Sequence, residues 1–190
     1  MLNSYLFFGM AYLISVAVVK YALHPVQEHY LPWLGLASLL YLPHAIRILA
    51  AWFLGWRSVP VLFAASLIGL VQFYGMTAWP AVLIAAASSS LCAIVSMRLV
   101  TAAVPPQKDG IGSRKTWRLF ILAGFIAALL NSVGQSLALL ASGDQLSLNE
   151  PRDLLRILAY ATGDFFGLIA VLFVLMLAFR WQRGLRAGKE

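Results

Sequence analysis

Long runs of apolar residues alternate along this chain with short polar or basic connectors. Six runs can be delimited: roughly Ser4 to Leu23, Leu31 to Trp56, Val59 to Gly75, Pro80 to Val104, Trp117 to Ser142, and Leu154 to Trp181. A membrane-crossing helix takes about 20 apolar residues, whereas a barrel strand takes about ten with alternating polarity, so the runs predict helices. The second run contains Pro43, which removes a backbone donor. It therefore reads as one kinked helix or as two shorter pieces, and five spans or a re-entrant second segment stay open. The first run is preceded by Met1-Leu2-Asn3, which has no basic residue, and no clear small-residue cleavage site follows it. It reads as a retained helix rather than a cleaved signal peptide.

Composition fixes the class. The chain is 62% hydrophobic and 11% charged over 190 residues, with a mean hydropathy of +0.84. A soluble domain carries about 25% charge, so the chain reads as an all-α, polytopic membrane bundle of about six transmembrane helices. That length leaves no room for a separate kinase, cyclase or ATPase domain. One integral membrane domain is expected over 1–190, with a short basic tail at 182–190. The one cysteine, Cys92, lies in an apolar run, so neither a disulfide framework nor a cysteine metal site can form within one chain.

Charge sets the expected orientation. With both termini inside, Arg57, Arg98, Lys108, Arg114, Lys115, Arg118, Arg180, Arg183, Arg186 and Lys189 all fall on the cytoplasmic side, ten of the fourteen basic residues. Lys20, Arg152 and Arg156 fall outside, together with the acids Glu28, Asp144, Glu150 and Asp153. The net charge of +7 then anchors the cytoplasmic ends against anionic headgroups. It does not mark a nucleic-acid binder, because the basic residues are scattered over short loops and a tail. The charge pattern suits a multi-pass protein of a membrane that borders the cytoplasm.

Against this apolar background, Arg47 and Asp164 each lie well inside a spanning run, where a charge is costly unless paired or functional. Counting ~1.5 Å per residue from Trp33 places His44 roughly 17 Å and Arg47 roughly 21 Å deep, and counting from Asp153 places Asp164 at roughly 16 Å. His44 and Arg47 are three apart on one helix, Tyr160 and Asp164 four apart on another, and Asn131 and Gln135 four apart on a third, so each couple shares a face. Ser88, Ser89 and Ser90 add hydroxyls from the fourth run and Gln72 an amide from the third. The polar groups gather between the midplane and the outer surface, which suggests a cavity entered from outside. The alternative is an interhelical lock, with Asn131 and Gln135 as hydrogen-bonding glue. The surplus of polar groups over one acid and one base favours a site for a small anionic ligand.

Other candidates are weaker. His24, Glu28 and His29 fall short of a metal-ligand set, so no metal and no cofactor is expected. Trp33, Trp56, Trp79, Trp117 and Trp181 sit near predicted interfaces, where such rings form a belt. Ala85, Ser89 and Ala93, like Gly163 and Gly167, are small residues at four-residue spacing and suit close helix packing. Neither a nucleophile with its base nor a phosphate-cradling loop is readable, so an enzyme is not expected.

Two stretches carry a family resemblance. Leu42-Pro43-His44-Ala45-Ile46-Arg47, followed by Trp52-Phe53-Leu54-Gly55-Trp56-Arg57-Ser58-Val59-Pro60, and Gly163-Asp164-Phe165-Phe166-Gly167 resemble the MASE type of integral membrane sensor domain. That module is a multi-helix input domain of bacterial histidine kinases and diguanylate cyclases, and the resemblance covers about residues 30–181. It implies signal transduction to an output that this chain, ending about nine residues after its last span, would take from a separate partner. His44 and Arg47 stand where family members more often have a glycine and apolar residues. By architecture the chain is also similar to the S components of energy-coupling-factor transporters, small six-helix bundles with a pocket in the outer half. The expected function is a sensory input module. The alternatives are a substrate-binding transporter subunit or a structural accessory subunit of a larger membrane complex.

Overall fold

The computed structural model describes residues 2–31, 38–74, 79–104, 114–143 and 151–187, and every regular element among them is helical. Helix α1 (Leu2–Val18) runs through a π-helical turn, Val19–Leu23, straight into α2 (His24–Tyr30). The wider turn falls just before Pro25, whose missing N–H would leave a carbonyl one turn back without its usual donor. Helix α3 (Pro43–Leu54) starts with a proline in its first turn, where an N–H would be unpaired anyway. It stops at Gly55, whose φ of 58° favours a residue without a Cβ. A 3-10 turn, Gly55–Arg57, leads into α4 (Ser58–Tyr74), and the Ser58 hydroxyl donates to the Gly55 carbonyl at 2.7 Å. Then follow α5 (Trp79–Ala103), α6 (Arg114–Ala141) and α7 (Pro151–Ala187).

Among the described residues, five helical stretches are long and apolar enough to cross a membrane: Leu2–Tyr30, Pro43–Val71, Trp79–Ala103, Lys115–Ala141 and Leu154–Gln182. The stretch from Pro43 to Val71 is not one rod. On α1, Phe8 stacks near Phe53 while Tyr12 lies under Arg47, so α1 and α3 run antiparallel. Gly9 packs on Val61, Tyr12 meets Ser66 and Gly69 packs on Val16, so α1 and α4 run parallel. Helices α3 and α4 therefore form a hairpin that reverses at Gly55.

Of the second run expected from sequence, Leu31 to Trp56, the described part is α-helical over Pro43–Leu54. Residues 38–42 are not helical, and 32–37 lie outside the described residues, so the depth count from Trp33 at a helical rise does not hold for His44 and Arg47. The 12 residues of α3 make only ~18 Å of helix. Irregular backbone at such a position must satisfy its own polar groups or be buried in protein, and three donors of this segment do find acceptors. Leu39 N–H donates to Gln27 Oε1 at 3.3 Å, Leu40 N–H to Ser38 Oγ at 3.4 Å, and Tyr41 N–H to the Gly163 carbonyl of α7 at 2.9 Å. The approach to α7 depends on glycine, since a Cβ on Gly163 or Gly167 would overlap the carbonyls of Ser38 and Tyr41 respectively.

Helix α3 is the centre of the bundle and packs against α1, α4, α5, α6 and α7. Its alanines permit this: Ala45, Ala50 and Ala51 are buried and let several neighbours close in at once. One core joins Ala45, Ile48 and Ala51 to Ile94, Met97, Phe120, Ala123, Leu168 and Leu172, and a second joins Ala50 to Phe8, Tyr12, Val16, Leu62 and Ala65. The outer faces of the long helices expose Leu129, Val133, Leu137, Phe166, Phe173 and Val174, a surface suited to lipid.

Candidate functional site

Four helices bring one polar residue or more each to the middle of the bundle. Asp164 of α7 is the hub. Its Oδ2 accepts a hydrogen bond from Asn131 Nδ2 of α6 at 2.6 Å, and lies 3.4 Å from His44 Nδ1 and 3.9 Å from Arg47 Nη1, both on α3. The network continues to α5: Ser89 Oγ donates to Asn131 Oδ1 at 3.3 Å, and Gln135 Nε2 donates to Ser89 Oγ at 3.3 Å and to Asn131 Oδ1 at 3.4 Å. On its other side the His44 ring reaches the Gly124 carbonyl through Nε2 at 3.0 Å. None of the three titratable groups meets solvent: His44 is 0% exposed, Arg47 1% and Asp164 2%.

The structure thus brings together Arg47, Asp164, His44, Asn131 and Gln135. Tyr160, one turn before Asp164 on α7, faces the same space. A cavity of about 50 Å³ is bounded by Ser38, Tyr41, Arg47, Asn131, Gln135, Tyr160 and Asp164, with Val19 and His24 at the α1–α2 junction. That volume suits an occupant of a few heavy atoms. Arg47 Nε and Nη1 are buried on this cavity without a hydrogen-bond partner among the described residues. A buried guanidinium whose Nε and Nη1 have lost water without gaining a hydrogen-bond acceptor attracts an anion, the Asp164 carboxylate being 3.9 Å from Nη1.

Two aromatic residues that hold the arginine were not singled out from sequence. Tyr12 of α1 and Tyr41, ahead of α3, set their rings 5.8 Å and 5.1 Å from the Arg47 Cζ, within cation–π range. In a chain with 13% aromatic residues nothing marks these two. Tyr12 is itself fixed by Ser66, whose hydroxyl donates to the Tyr12 oxygen at 3.0 Å.

Of the remaining candidates, His24 lines the cavity, while Ser88, Ser90, Glu28 and His29 stand apart from the Asp164 network. Ser88 packs on Gly134, and Ser90 caps its own helix turn by donating to the Ala87 carbonyl. The side chain of Gln72 and all of Trp33 lie outside the described residues. His24 and Glu28 approach to 3.8 Å as neighbours one turn apart on the helix surface, and His29 stacks on Tyr30 instead of joining them. Among the described residues no three His, Cys, Asp or Glu side chains converge in a way that could hold a metal ion.

The chain matches no known family model, no curated protein and no solved structure. The chemistry of the cluster therefore carries the functional argument.

Proposed function

We propose that this protein is a six-crossing integral protein of the bacterial inner membrane with both termini in the cytoplasm. Its Arg47 binds a small anion in the buried cavity, and the bundle passes its bound or empty state to a separate partner protein, as a sensory input module of the MASE type would. In this reading the second crossing is a broken one, irregular through 38–42 and helical from Pro43. The observation that carries the proposal is the pair of unmatched donors, Nε and Nη1, on an arginine that is 1% exposed and borders the cavity. Asn131 and Gln135 supply neutral amides on the same wall, and α3, which carries Arg47, touches five other helices. Binding at α3 is thus well placed to shift the balance between two helix packings, provided the anion prefers one of them.

The test is thermal unfolding of the purified protein in mild detergent against a panel of small anions. An anion at one hundred times its dissociation constant stabilises by about 2.7 kcal/mol. That stabilisation should vanish in Arg47→Met. Equal shifts in the two proteins would remove Arg47 from any binding role.

One observation favours a second reading, an interhelical lock. The 2.6 Å bond from Asn131 to Asp164, with Arg47 beside it, already joins α6, α7 and α3. A structural subunit of a larger membrane complex would need no more. A stoichiometric protein complex without any anion response would favour that role.

A further inference from the structure

The histidine in the cluster imposes a condition on proton occupancy. Its Nε2 sits 3.0 Å from the Gly124 carbonyl, and a carbonyl oxygen only accepts, so Nε2 carries a hydrogen. In the neutral ring Nδ1 is then a bare acceptor. Yet Nδ1 faces Asp164 Oδ2 at 3.4 Å, a second acceptor when the carboxylate is ionised, and no other hydrogen bond reaches Nδ1 among the described residues. Two buried lone pairs that face each other are satisfied by one added proton, held on Nδ1 as an imidazolium or on Oδ2 as a carboxylic acid.

Charge counting ties that proton to the anion. With a neutral His44, Arg47 and Asp164 sum to zero, and an anion entering beside Arg47 would also meet the Asp164 carboxylate 3.9 Å from Nη1. One proton added between His44 and Asp164 leaves the cluster at +1, and one monovalent anion returns it to zero. Among the described residues, the titratable groups facing the pair are Arg47 and Tyr41 on the α3 side, Tyr12 from α1, Cys92 from α5, Tyr160 from α7 and His24 on the cavity wall. Helix α6 from Leu119 to Ala141 and α4 from Ser58 to Val71 contain no titratable side chain.

Resting on the anion-binding reading above, we infer that the site takes up a small monovalent anion together with one proton, the anion on Arg47 and the proton between His44 Nδ1 and Asp164 Oδ2. The ligand class is a weak acid of a few heavy atoms, or a monovalent inorganic anion bound with a proton.

Isothermal titration with sodium formate, and separately with sodium nitrate, in buffers of differing ionisation enthalpy counts the protons. Uptake of about one proton per anion is expected at alkaline pH, with the dissociation constant rising about tenfold per pH unit there, since one proton is linked to one anion. Asp164→Asn removes the titrating carboxyl and, with the Asn131 amide turned so that its oxygen accepts from the new amide nitrogen, lets that nitrogen donate to His44 Nδ1 as the protonated acid would. That variant should bind the anion with no proton uptake and no pH dependence. Anion binding that is lost in Arg47→Met but proceeds without proton uptake in the natural protein overturns the coupling and leaves the anion site standing. Failure of both anions to bind at any pH overturns the coupling and the anion-binding reading together. Binding of ammonium or potassium with release of a proton also overturns both, and makes Asp164 the ligand of a cation site.

Discussion

Removal of the Arg47 and Asp164 charges, singly and together, should be strongly non-additive. Asp164→Leu leaves Arg47, 1% exposed, without its nearest anion, which costs about 3–5 kcal/mol for a buried charge. The same change deprives Asn131 Nδ2 of its 2.6 Å acceptor, a further loss of roughly 1–3 kcal/mol. Arg47→Met should cost less, about 3 kcal/mol, because Asp164 keeps the Asn131 hydrogen bond and the His44 ring beside it. In the double variant Arg47→Met/Asp164→Leu no charge is stranded and only the Asn131 amide loses its partner, so the total should fall to roughly 1–3 kcal/mol. The coupling between the two positions is then at least about 3 kcal/mol. Interhelical hydrogen bonds in membrane bundles average only about 0.6 kcal/mol, so a value of this size would come from stranded charge. Reversible unfolding in mixed micelles, titrated with a denaturing detergent, measures all three variants against the natural protein. A coupling below about 1 kcal/mol would refute the reasoning, as would a larger loss in Arg47→Met than in Asp164→Leu.

Gly163→Ala should destabilise by about 2–3 kcal/mol, because the added methyl overlaps a backbone carbonyl that cannot rotate away. Gly9→Ala, whose nearest neighbour is a Val61 methyl at 3.4 Å, should be close to neutral in the same unfolding assay, and equal effects would mean that 38–42 do not pack tightly on α7. For the orientation, in a Cys92→Ser background an impermeant thiol reagent applied to intact cells should label Gln145→Cys and spare Lys108→Cys. The reverse pattern would invert the topology.

Much of the bundle is legible in sequence because lipid-facing helices announce themselves by length and apolarity, a signal that survives without neighbours. The runs beginning at Pro80, Trp117 and Leu154 correspond to α5, α6 and α7 within a few residues. In the second run Pro43 marks a possible break, but what holds the chain ahead of it is not legible, for a physical reason. Its composition from Leu31 to Leu42 is as apolar as any helix, but the residues from Ser38 onward are held by partners distant in sequence, Gln27 and Gly163, which no local pattern reveals.

The site divides the same way. Arg47 and Asp164 stand out because a charge in an apolar run is rare, and helical spacing then nominates His44, Asn131, Gln135 and Tyr160. What spacing cannot show is which atom faces which. The meeting of His44 Nδ1 with a carboxylate depends on a Gly124 carbonyl 80 residues away that occupies the other ring nitrogen. That contact turns a pair of opposite charges into a group with an unfilled place for a proton. The same ring spans α3, α6 and α7, so a lock and a site would both use it, and proton uptake on anion binding is what separates them.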